Sequence, residues 1–102
     1  MQKIINRRTY NTETSELIGQ WGNGYYSSDF SHCYEELYRT QKGTYFLYGV
    51  GGPMSSWAAV DGQGRHGNAD IRLLTEEEAI DWCESKDQEA LEKYFSQHIE
   101  QG

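Results

Sequence analysis

YEELYRTQKGTYFLYG, residues 34–49, sets two aromatic-rich runs on either side of a Gln41-Lys42-Gly43 connection. Tyr, Phe and Thr favour extended chain, and a glycine closing a three-residue loop supplies the left-handed conformation of a bulged β-hairpin. Strands are therefore predicted over 34–40 and 44–49. Alternation puts Tyr45 and Leu47 on one face of the second strand and Phe46 and Tyr48 on the other. Apolar residues on both faces place that strand in the middle of a sheet.

Upstream, residues 2–10 read as a first strand anchored by Ile4 and Ile5, with Asn11 opening a turn. Thr14, Ser15 and Glu16 are compatible with a short helix, but a strand over 16–21 ending at Gly22-Asn23-Gly24 is the preferred reading. Downstream, 49–68 is rich in glycine, with Trp57 to Val60 as a short strand, and 69–74 makes the last strand with Ile71 and Leu73 on one face. Glycine there either allows tight turns or lets a ligand approach the backbone.

Thr75 and Glu78 then form a T-x-x-E capping box, and Glu76, Glu77 and Glu78 suit the positive end of a helix dipole. Ala79, Trp82 and Cys83 at i, i+3, i+4 give one apolar face, and Ser85 and Asp87 offer a break and a new N-cap. Ala90, Leu91, Tyr94, Phe95 and His98 continue helical spacing. Two helices are expected, over 75–84 and 87–99. The whole is a single α+β domain, 1–102, mainly strands and loops over 1–74 and helical over 75–99: an antiparallel sheet of four or five strands with two short C-terminal helices packed on one face.

Composition narrows the function classes. Eight Tyr, three Trp and three Phe in 102 residues speak against disorder and supply flat amphipathic surface. No apolar run is long enough to span a membrane, and the basic N-terminus lacks the apolar core of a secretory signal. Cys33 and Cys83 lie outside any C-x-x-C spacing, which fits reduced thiols in a cytoplasmic protein; a bridge between them stays open. The net charge of −7 is polarised: residues 1–10 carry three bases and no acid, while 71–102 carry nine acids against three bases. An acidic chain repels nucleic-acid phosphates, so direct nucleic-acid binding through Lys3, Arg7 and Arg8 fits the charge poorly.

Motifs for catalysis are sparse. The glycines at 49–52 are followed by Pro53-Met54 where a phosphate loop needs Lys-Ser/Thr. His32, His66 and His98 have no metal-ligand spacing, and Glu35-Glu36 and Glu76 to Glu78 are adjacent pairs, the first assigned to a strand edge. No cofactor or metal is expected. Two surfaces remain. Glu77, Asp81, Glu84, Asp87, Glu89 and Glu92 form an acidic helical face, readable as solvated surface or as a docking site for a basic partner. Trp21, Tyr25, Tyr26, Phe30 and Tyr34 form an aromatic set, readable as core or interface, with Tyr25 and Tyr26 the candidate contacts.

The segments YNTET (10–14), IGQWGNG (18–24), Asp29-Phe30, ELYRTQKGTYFLYGVGGPMS (36–55) and LLTEEEAIDW (73–82) together resemble a family of small uncharacterised proteins found on mobile elements of Gram-positive bacteria. The likeness covers most of the chain, with 57–70 the most divergent part. It implies an accessory or anti-defence role of the anti-CRISPR kind. The expectation is a non-enzymatic binding protein that docks its acidic face on a basic surface of a nucleic-acid-processing protein. The alternative is a small enzyme or ligand-binding domain built on the 49–68 loop, with a pocket near Ser55, Ser56 and His66.

Overall fold

The computed structural model describes all 102 residues. Its centre is an antiparallel sheet of β3 (Glu16–Gly22), β4 (Cys33–Arg39), β5 (Tyr45–Gly51) and β8 (Asn68–Leu74), in the order β3-β4-β5-β8. The expected hairpin forms its middle: Leu37 faces Leu47 and Tyr38 faces Phe46 across β4–β5, and Gly43 turns the chain at φ 88°. The strand at 16–21 is also present. A register shift between Leu17 and Gly19 tucks Ile18 into the core.

The N-terminal segment differs from expectation. Residues 2–10 are not one strand but a hairpin, β1 (Gln2–Ile5) against β2 (Arg8–Asn11). Asn6 and Arg7 both take positive φ, 52° and 66°, the two-residue turn whose twist matches its strands. The Asn6 signal was readable; Arg7, a poor left-handed residue, obscured it.

The 49–68 region is more ordered than a loop. Trp57 is not in a strand. The pairing begins at β6 (Ala59–Asp61) and returns through β7 (Gly64–His66) as a small separate hairpin. Trp57 instead drops into the core, and its ring lies on Gly49, where an added Cβ would meet Trp57 Cε2 at 1.8 Å. That glycine therefore serves neither a turn nor a ligand. It makes room for an indole.

The helices follow as α1 (Glu76–Lys86) and α2 (Gln88–Tyr94). The Thr75–Glu78 capping box is present in both directions. The second helix ends earlier than 99: Phe95 leaves helical geometry at φ −130°, buries its ring, and only a 3₁₀ turn, Ser96–His98, follows.

The sheet is covered on both faces. Ala79, Trp82, Cys83, Ala90 and Phe95 pack on the side that carries Leu37, Tyr45, Leu47 and Trp57. On the other side, β1–β2 brings Tyr10 and Ile5 against Tyr38, Phe46 and Ile71. There Tyr38 stacks on Phe46 at 5.3 Å and Tyr10 meets the same ring edge-on at 5.8 Å. Each such pair adds about 0.5–1.5 kcal/mol beyond area burial.

Candidate functional site

Helical periodicity sorts the acidic residues of α1 by face. Ala79, Trp82 and Cys83 point inward; Glu77, Asp81 and Glu84, at i, i+4, i+7, share the opposite stripe and are exposed. On α2, Glu89 and Glu92 are exposed while Ala90 is buried. None of these five carboxylates forms an ion pair in the chain. Asp87 is separated from the set. One of its oxygens caps α2 by accepting from Ala90 N at 3.2 Å, and the other accepts from Gln20 N on β3 at 3.0 Å. It is a joint between helix and sheet.

What keeps the face uncompensated is the fate of the two helix lysines. Lys93 lies over the Tyr94 ring at 5.2 Å. Lys86 turns inward, with Nζ 4.0 Å from the centre of the Trp21 ring and donating to Glu35 Oε1 at 2.8 Å. Glu35 is not at a strand edge as expected. It sits on the inner strand β4, faces the helices and is 4% exposed. Its Oε1 also accepts from Trp82 Nε1 at 2.9 Å, and its Oε2 accepts from Trp57 Nε1 at 2.7 Å. Burial alone would raise this carboxyl, but the hydrogen bonds from Lys86, Trp82 and Trp57 and the lysine charge outweigh it and hold it below the ordinary carboxylate range. The signal was present in the sequence: Cys33, Glu35 and Leu37 alternate onto one face, and Lys86 continues the inward spacing of Trp82 and Cys83.

Glu36, one residue on, faces the other side and accepts from Tyr34 and Tyr38 hydroxyls at 2.7 and 2.8 Å. Burial and then this carboxylate push both phenols up, Tyr34 to about 12.

The aromatic set divides. Trp21 is half-buried beneath Lys86, and Tyr34 is tied to Glu36. Tyr25, Tyr26 and Phe30 are exposed, Tyr26 to 87%. Asn23 staples their loop by donating to Ser31 O at 2.7 Å and accepting from Cys33 N at 3.2 Å. Met54, absent from the expected set, joins them: its N–H donates to Phe30 O at 2.8 Å and its side chain is exposed.

Around 49–68, Ser55 is buried with its hydroxyl donating to Gly52 O at 2.8 Å, and exposed His66 pairs with Asp61 at 2.8 Å. Ser55, Ser56 and His66 line neither the cleft beside Arg7, Arg8 and Lys42 nor the groove between β3 and α2. Cys33 and Cys83 are unbridged and buried; burial, foremost, pushes both thiols up, Cys83 to about 11. No helix is long and apolar enough to cross a membrane. Comparison with protein-family models, curated proteins and solved structures yields no match.

Proposed function

We propose that this chain is a non-enzymatic binding protein that docks its acidic helical face on a basic surface of another protein. The observation that carries this reading is the inward turn of Lys86. It spends the central lysine of the helical third on Glu35, and leaves Glu77, Asp81, Glu84, Glu89 and Glu92 without internal counter-charge. Such a field attracts basic surfaces and speeds encounter more than it tightens the complex. Basic protein surfaces are commonly nucleic-acid-binding sites. With the resemblance to mobile-element proteins, this favours an anti-defence inhibitor that acts in the cytoplasm by covering such a site, as anti-CRISPR-like proteins do.

Affinity capture from the native host, with mass-spectrometric identification of what is retained, names the partner. Binding to it should weaken steeply with salt, since exposed charges are screened over about 8 Å at physiological ionic strength. Reversing Asp81, Glu84 and Glu89 to Lys should lower affinity by about tenfold or more through a slower association. Unchanged binding by that folded triple variant would sink the acidic-face reading.

A further inference from the structure

The nine basic residues divide sharply by what they touch. Lys3 pairs with Asp70, Arg39 with Glu16 and Lys86 with Glu35. Arg65 donates to Pro53 O and Ser55 O, Arg72 donates to Ser56 O and lies over Trp57 at 3.9 Å, and Lys93 lies over Tyr94. The three left without a partner are Arg7, Arg8 and Lys42, and all three line one open cleft of about 420 Å³. Arg7 is placed there by the left-handed β1–β2 turn, and Lys42 by the β4–β5 turn that Gly43 closes.

The rest of the lining is as selective. Thr9, Thr14, Ser15, Thr40, Thr44 and Gln41 make it polar and uncharged, and no carboxylate takes part, in a chain where acids outnumber bases sixteen to nine. Tyr10 is the one hydrophobic residue of the lining. It is 5% exposed, its ring packed edge-on against Phe46.

We propose that this cleft is a binding site for a small ligand carrying more than one phosphate group. Guanidinium groups present paired donors to phosphate oxygens, hydroxyls fill the remaining acceptor positions, and an ammonium adds a mobile point charge. The volume falls within the range of small-molecule sites. A nucleic-acid strand fits less well. The only aromatic ring in the lining is buried, so no platform exists for base stacking, and a strand running out of the cleft would meet a chain of net charge −7. The site is separate from the acidic helical face, with which it shares no residue.

The test titrates the intact chain at low salt with inorganic tripolyphosphate and, in parallel, with a short single-stranded oligonucleotide, followed by calorimetry and by backbone amide shifts. Wild-type protein should take up one tripolyphosphate per chain saturably, with shifts confined to residues 7–15 and 40–44. The triple variant R7N/R8Q/K42Q should bind about tenfold or more weakly, the scale of losing a charge-assisted hydrogen bond, while K93Q binds as wild type. Asn is chosen at position 7 because it tolerates the left-handed turn. The amide map needs no variant, so it decides the site even if the triple substitution unfolds the hairpin. Absence of saturable uptake, shifts spread over the surface, or equal loss in K93Q would overturn the site. Binding of the oligonucleotide without tripolyphosphate would overturn the ligand class.

Discussion

Lys86, near the end of α1, reaches past the Trp21 ring into the core to meet Glu35 of β4 at 2.8 Å. The pair joins elements 51 residues apart in the chain. It also ties the composition of the core to the charge of the surface, because the lysine consumed inside is missing outside.

Removing the carboxylate should expose its role. Glu35→Ala leaves the ammonium and two indole N–H groups without an acceptor, a loss on the scale of about 3–5 kcal/mol for breaking a buried pair. Glu35→Gln keeps one acceptor oxygen but turns an amide N–H₂ toward a donor, and should also destabilise. Urea denaturation of both variants measures the cost. A midpoint equal to wild type for Glu35→Ala would show that the network contributes nothing.

The same group predicts a pH response. Its folded value is held below the ordinary carboxylate range, and Asp70, drawn down by Lys3 and the Ile71 N–H against the effect of burial, behaves alike. Depressed groups contribute stability that is fully present above the unfolded value of about 4.3 and is lost as pH falls through the folded one. The urea midpoint should therefore hold steady down to about pH 5 and fall below about pH 4. Glu35→Ala should flatten that fall.

Gly49→Ala should be among the most damaging small changes in the chain. Its methyl would land 1.8 Å from Trp57 Cε2, and the ring cannot retreat without giving up its bond to Glu35. Overpacking of this kind costs about 3 kcal/mol. A shifted tryptophan emission alongside a lowered thermal midpoint would locate the strain at Trp57.

Acidic residues on the two helices should respond in opposite ways. Asp87→Ala removes the α2 cap and the acceptor of Gln20 N, and should cost about 1–2 kcal/mol. Asp81→Lys and Glu84→Lys should each stay within about 0.5 kcal/mol, since neither side chain makes an ion pair, while Glu89→Lys should cost up to about 1 kcal/mol by placing a cation in the first turn of α2. Thermal melts of the single variants separate the structural aspartate from the surface set.

Much of the fold was legible because local chemistry and tertiary packing agree. The 34–49 hairpin, the strand at 16–21, the last strand and the Thr75–Glu78 cap each carry their own signal. The misreadings fall where a distant partner decides. Trp57 looked like a strand residue by propensity, but a space opened by Gly49 and an acceptor on Glu35 draw it inward. Phe95 had helical spacing, yet filling the core beside Tyr45 ends the helix. Asp87 is the N-cap its sequence context predicts, but it does not belong to the exposed acidic face, because its second oxygen accepts the Gln20 N–H of β3. The exposed carboxylates were readable from helical period alone. The cleft at Arg7, Arg8 and Lys42 was not, since residues 7–10 and 14–15 build it with residues 40–44 from a turn distant in the chain.

The long sequence separations of the Glu35 contacts also set the order of events during synthesis. Trp57, Trp82 and Lys86 follow it by 22, 47 and 51 residues, so β4 and β5 emerge from the ribosome well before the charge they enclose can be neutralised. The sheet cannot close as an early, independent unit; its completion waits for α1. Folding should therefore be one late cooperative step, and a chain ended short of Lys86 should persist as an open, protease-sensitive species rather than as a smaller sheet.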